Sequence, residues 1–187
     1  MRVEKVLRWF EKSEEQSPGR VFGLCLLAFL VCCAYTYLFL YPLHELLGYS
    51  LFSFGRDSRV LPSNWVRVFY FDAVIPSVVE EEILFRLVPF GLAGLVLGRR
   101  RARVRITSLI LINLFLSFSI FGYIHLDRVG TRVFYIQSVQ GFVLGLLFIK
   151  LLSFKSKFRY ATAFFGTLVT HFYFDVVDGS LFALGII

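Results

Sequence analysis

Residues 106–124, "ITSLILINLFLSFSIFGYI", form an uncharged and almost wholly apolar run that decides the fold class. About 20 apolar residues in a helix cross a hydrocarbon core about 30 Å thick, so this run is long enough to span a membrane. The segment before it, "RRRARVR" at 99–105, is strongly basic. Basic residues mark the cytoplasmic ends of membrane helices. The two segments together predict a transmembrane helix with its first residue on the cytoplasmic side.

The same pattern recurs along the chain, which is 57% hydrophobic and only 18% charged. Soluble domains average about 45–50% apolar and about 25% charged residues, so the composition is that of a membrane protein. We predict an all-α, polytopic integral membrane bundle of about five transmembrane helices plus an N-terminal interfacial helix. The five predicted spans are residues 21–43, 65–98, 104–125, 132–152 and 158–177.

Two regions are distinguished by charge. Residues 1–20 are charged and amphipathic, which predicts a short cytoplasmic helix on the membrane surface, and residues 21–187 form the membrane domain. Basic residues concentrate in the N-terminal segment and in the loops at 99–105 and 150–159. This distribution predicts a cytoplasmic N-terminus. It also explains the net charge of +7 without nucleic-acid binding, since no soluble recognition domain is left to carry it.

The stretch "PSVVEEEILFRLVPF", residues 76–90, places three glutamates and an arginine in the second predicted span, where ionisable groups are costly. Glu82 and Arg86 are four residues apart and predict an ion pair in the favourable order. Glu81 lies about 140° from Arg86 around a helix of about 100° per residue, so Arg86 cannot pair with it in the same way. Glu81 is therefore the candidate general base. Glu80 points elsewhere and receives no role.

Two of the three histidines fall in predicted spans. His125 ends the third span and shares a helix face with Phe121, four residues earlier. His171 shares a face with Asp175 in the fifth span, a spacing at which the acid can orient the imidazole. His44 follows the first span and is predicted to be interfacial. In the five-span topology Glu81, His125 and His171 all fall in the outer half, so we expect them to meet.

Three segments in this order, "EEILFR" at 81–86, "FGYIH" at 121–125 and "HFYFD" at 171–175, resemble the EExxxR, FxxxH and HxxxN/D motifs of a known family. It is the CPBP or ABI family of intramembrane glutamate-type endopeptidases, which includes the CAAX proteases, bacteriocin-processing proteins and myxosortases. The segment "FYIQSVQGFVLGLLF" at 134–148 is also similar to the helix between the second and third motifs. The resemblance covers residues 65–178 and implies a catalytic core there.

The resemblance implies a metal-free protease without a cofactor. Glu81 and His125 would activate water, His171 and Asp175 would line the oxyanion site, and Glu82, Arg86 and Phe121 would support them. One departure is that an ionised Asp175 cannot donate the hydrogen bond that asparagine donates. Either Asp175 is protonated, or it only orients His171. The implied substrate is a membrane-anchored or lipid-modified protein cleaved near its C-terminus, such as a C-terminal sorting signal, in a bacterial cytoplasmic membrane.

Other functions remain open at this point. A non-catalytic membrane protein of the same fold, such as a bacteriocin-immunity protein or a scaffold, has little reason to bury these groups. A zinc-dependent membrane hydrolase would use His125, His171 and a glutamate as ligands, although the chain has no HExxH motif. A transporter is disfavoured because no inverted repeat is visible. Cys25, Cys32 and Cys33 lie in the first apolar run, where we expect packing rather than metal or disulfide chemistry.

Overall fold

The computed structural model describes residues 2–40, 42, 74–98, 100–124 and 131–183, and its regular elements are helices. One isolated bridge joins Glu15 to Lys155. We number the helices α1 (Arg2–Glu11), α2 (Pro18–Leu40), α3 (75–97), α4 (Ala102–Ile124), α5 (Thr131–Leu152) and α6 (Arg159–Ala183). The all-helical class therefore agrees with the prediction.

Three helical segments are long and apolar enough to cross a membrane: Pro18–Leu40, Ala102–Ile124 and Tyr135–Leu152. Large apolar side chains on these and neighbouring helices point outward, as in Leu38, Leu95 and Leu111. An outward apolar surface of this kind suits lipid contact. The structure thus supports membrane spans at three of the five predicted positions. The second and fifth spans, which carry the ionisable residues, stay predictions.

Helix α3 passes Pro89 without breaking. Proline removes a backbone donor from a helix and crowds the preceding turn. The five residues before Val88, Ile83–Leu87, form wider turns of the i to i+5 type, and the Val88 N–H donates to Ile83. Helices α2 and α4 contain similar wide turns at Ala34–Leu40 and Leu116–Phe121. These turns rotate the side chains that follow them relative to a regular helix.

Helix α5 is the centre of the bundle and contacts α2, α4 and α6. Gly141 and Gly145 allow α4 to approach it closely. A Cβ atom on Gly141 would lie 2.9 Å from the Phe121 ring, and one on Gly145 would overlap the Asn113 side chain. Asn113 Nδ2 donates to the Phe142 carbonyl at 2.9 Å. The GxxxG spacing of α5 is therefore a helix-packing feature, as such spacing is in other membrane helices.

Helix α1 packs onto the basic ends of α4 and α5. Lys150 is 2% exposed, and its Nζ donates to the Trp9 carbonyl at 2.7 Å and to the Lys12 carbonyl at 3.2 Å. The same ammonium lies 4.6 Å from the centre of the Trp9 ring. Arg103 pairs with Glu4 at 3.3 Å. A helix thus forms at Arg2–Glu11 within the predicted N-terminal segment, and it contacts the bundle through these side chains. Its predicted place on the membrane surface stays a prediction.

Candidate functional site

Helices α3 and α6 bring ionisable side chains together in the interior of the bundle. Glu82 is fully buried, His171 is 1% exposed and Arg86 is 2% exposed. Charged groups are rarely buried to this degree unless they are paired. The pairing of these three residues therefore decides what the site can do.

One carboxylate oxygen of Glu82, Oε1, contacts both Arg86 and His171. Arg86 Nη1 donates to Glu82 Oε1 at 2.5 Å, so the ion pair predicted from the spacing is confirmed. His171 Nδ1 lies 2.9 Å from the same oxygen. A carboxylate that receives arginine acts as an acceptor, so Nδ1 of His171 is the donor of this bond. A neutral imidazole that donates from Nδ1 presents the lone pair of Nε2 to its other side.

The other side of the imidazole faces two more carboxyl groups. His171 Nε2 lies 3.7 Å from Glu81 Oε2 and 3.6 Å from Asp175 Oδ2. Both distances exceed the range of a direct hydrogen bond, so Nε2 has two carboxyl groups as neighbours without a direct hydrogen bond to either of them. The Glu81 and Asp175 side chains are 18% and 26% exposed, in contrast to buried Glu82. The Nε2 side of the imidazole is thus the more exposed side of the cluster.

Two contacts add to what the sequence predicted here. Asp175 shares a face with His171 as expected, but the closer acid is Glu82, which contacts Nδ1 at 2.9 Å. Glu82 therefore orients the imidazole, because it approaches the ring from α3 at hydrogen-bond distance. Glu81 has a partner one turn earlier on α3, because Ser77 Oγ donates to Glu81 Oε1 at 2.9 Å.

Phe121 on α4 places its aromatic ring beside Arg86. Its ring is 5.4 Å from the Arg86 guanidinium carbon and meets Phe85 edge to face at 5.0 Å. An aromatic face so placed attracts the cation and shields it from solvent. Phe121 therefore contacts the cation of the Arg86–Glu82 pair, and the supporting role that the resemblance implied for it stays a prediction. His125 and His44 lie outside the described residues.

Gln140 on α5 is a member of this site that sequence reasoning left without a role. Its side chain is 2% exposed and faces the Asp175 carboxylate. The two groups fall short of hydrogen-bond geometry, and neither amide atom of Gln140 has a partner among the described residues. A buried polar group without a partner costs free energy and is uncommon in native proteins. The uncharged segment 133–149 carries two amides, Gln137 and Gln140, and an amide in such a segment was the available signal.

Ser77 and the Tyr37–Asp178 pair were also missed. Ser77 precedes Glu81 by one helical turn, so its role was readable from the spacing. Tyr37 Oη donates to Asp178 at 2.8 Å and ties α2 to α6, a contact between distant segments that spacing cannot reveal. The Tyr37–Asp178 bond fixes α6 against α2 about one helical turn beyond Asp175.

Within the described parts of the chain, no group of three or more His, Cys, Asp or Glu side chains is arranged to hold a metal ion. Comparison with protein-family models, with curated proteins and with solved structures yields no match.

Proposed function

We propose that the protein is an intramembrane endopeptidase in which Glu81 and His171 activate a water molecule for attack on a peptide bond. The observation that carries the proposal is the two-sided environment of His171. One ring nitrogen is anchored by the buried Arg86–Glu82 pair, and the other faces partly exposed Glu81 and Asp175. A purely structural network would need only the buried contacts of Glu82 with Arg86 and His171, without carboxyl groups near Nε2.

Amide hydrolysis needs a base for water, a donor for the oxyanion and an acid for the leaving amine. Glu81 accepts a proton from water while the resulting hydroxide attacks the carbonyl carbon. His171 Nε2 holds the same water through its lone pair. When the tetrahedral intermediate collapses, the C–N bond breaks and protonated Glu81 returns its proton to the amine. The products are a carboxylic acid and an amine, which ionise to a carboxylate and an ammonium group.

The oxyanion needs a hydrogen-bond donor that the carboxyl groups of the site do not supply. His171 Nδ1 is already bound to Glu82, and Arg86 is held by the same residue. Gln140 has two N–H bonds and no partner among the described residues. We assign Gln140 as the oxyanion donor, because its buried amide faces the Asp175 carboxylate at this site. Gln140 would then supply the N–H donor that an asparagine at position 175 could supply and that an ionised Asp175 cannot.

The substrate class follows from the surroundings of the site. Helices around it present apolar surface outward, so a substrate arrives along the membrane. A protein anchored by a lipid or by an apolar segment, cut near its C-terminus, fits this approach. His125 is proposed as a second imidazole at the water on the resemblance alone.

The test compares membrane proteins that are released or shortened in cells with the wild-type chain and with Glu81→Gln. Exposed Glu80, the adjacent glutamate, is the matched control as Glu80→Gln. We expect cleavage products in the wild type and in Glu80→Gln, and none in Glu81→Gln at equal protein level. Identical product patterns in all three strains would refute the proposal. The result would instead favour a non-catalytic membrane protein of the same architecture.

A further inference from the structure

A cavity of about 270 Å³ lies at the basic end of the bundle, between α1 and helices α3 to α6. Its inner wall is apolar, with buried Phe90, Ile106 and Ile149. None of Glu81, Glu82, Arg86, His171 or Asp175 lines it. The cavity is therefore separate from the proposed active site, and any occupant would serve a different purpose.

Three cationic side chains and one carboxyl group line the cavity: Arg105, Lys155, Arg159 and Glu11. Neighbouring basic residues have acidic partners, since Arg103 pairs with Glu4 and Arg20 with Glu14. Arg105 and Lys155 have none among the described residues, and Arg159 only lies over the Tyr160 ring. Unpaired cations around a partly enclosed space attract an anion. Arginine in particular matches the geometry of phosphate oxygens.

The Glu11 carboxyl group sets a second requirement, which is that the ligand carries a hydrogen-bond donor. Its Oε1 atom is buried and has no hydrogen-bond partner among the described residues, although three basic side chains line the same cavity. A buried carboxyl oxygen without a donor costs free energy. The missing partner is therefore an N–H or O–H donor, and a positively charged donor suits a carboxyl group best.

We propose that this cavity binds a phosphoethanolamine group, with the phosphate at Arg105, Lys155 and Arg159 and the ammonium at Glu11. The volume lies just below the roughly 300–1,000 Å³ of typical small-molecule sites, which suits a head group. Basic pockets between membrane helices commonly hold lipid head groups. The apolar inner wall accommodates the glycerol end of a phospholipid. The ligand also ties α1 to the bundle, because Glu11 is the last residue of α1.

The chemistry predicts a ranking among phospholipids of equal acyl chains. Phosphatidylethanolamine offers both phosphate and N–H donors. Phosphatidylcholine has the phosphate but no N–H on its quaternary ammonium, and phosphatidylglycerol has the phosphate but no cation. We expect the purified full chain to retain phosphatidylethanolamine about tenfold more tightly than either, as one charge-assisted hydrogen bond would give.

Native mass spectrometry of the full chain in detergent, titrated with each lipid, measures this ranking without any enzymatic readout. Glu11→Gln should abolish the preference for phosphatidylethanolamine over phosphatidylglycerol. Lys155→Gln, at an exposed position that tolerates change, should weaken all three lipids together, as should Arg105→Gln. Exposed Glu15→Gln and Arg100→Gln lie outside the cavity lining and should behave as the wild type.

Competition by soluble phosphoethanolamine tests whether the cavity recognises the free phosphoethanolamine group or requires the intact phospholipid. Displacement of the lipid assigns recognition to the head group alone, and a persistent lipid preference without displacement assigns it to the intact lipid. Equal retention of the three lipids by the wild type would overturn the proposal. A full phosphatidylethanolamine preference in Glu11→Gln would also overturn it. Both results would leave the proposed peptidase activity untouched.

Discussion

Glu82→Gln should be the most destabilising polar substitution in the site, because it leaves the Arg86 cation buried without its counter-charge. Glu82 is fully buried and Arg86 is 2% exposed. Removal of one partner of a buried ion pair costs about 3–5 kcal/mol of unfolding free energy. The 5.4 Å contact with the Phe121 ring offsets only about 1–2 kcal/mol of such a cost.

The double variant Glu82→Leu/Arg86→Met should recover most of this loss. Replacement of both members of a buried pair by apolar residues of similar size is often neutral. His171 Nδ1 would then lack its acceptor, which retains a cost of about 1–3 kcal/mol. We therefore expect the double variant to be more stable than Glu82→Gln and yet inactive, since the imidazole is no longer oriented.

The assay is equilibrium unfolding of the purified chain in mixed detergent micelles, followed by far-ultraviolet circular dichroism and combined with the peptidase assay. Arg8→Gln is the matched control, because Arg8 and Glu4 form an exposed i,i+4 pair at 3.7 Å. Exposed helix pairs contribute about 0.3–0.5 kcal/mol, so this variant should differ little from the wild type. A loss below about 1 kcal/mol in Glu82→Gln would refute the buried pairing, as would a double variant less stable than the single one.

Three further substitutions test other parts of the structure. Glu81→Gln should reduce the peptidase rate by about 10²–10⁴-fold with little change in unfolding free energy, whereas Glu80→Gln should leave both unchanged; measured kcat and unfolding curves check this. Gln140→Leu removes the proposed oxyanion donor and should lower kcat by about 10²–10³-fold with KM nearly unchanged. A rise in KM with unchanged kcat would argue against that role. Lys150→Met removes two bonds to carbonyls of the α1 segment, including that of Trp9, so limited proteolysis should cut the N-terminal segment faster than in the wild type; equal cleavage rates would contradict the docking of α1.

Local features of the site were readable from the sequence. The spacing of Glu82 and Arg86 predicted an ion pair, and the spacing of His171 and Asp175 predicted a shared face. Residues one turn apart on a helix are neighbours whatever the tertiary fold is, so these relations need no knowledge of packing. The apolar runs likewise determined the all-helical class, since backbone groups in a lipid environment must be satisfied within the segment.

Contacts between helices were decided only by the tertiary structure. His171 meets Glu82, which lies 89 residues away, and the wide turns at Ile83–Leu87 shift the helix faces on which a regular spacing argument depends. The burial of Gln140 opposite Asp175 and the capture of α1 by Lys150 arise in the same way. The rotation and depth of one helix against another depend on how all their side chains fill space together, and that is a property of the assembled bundle rather than of any single segment.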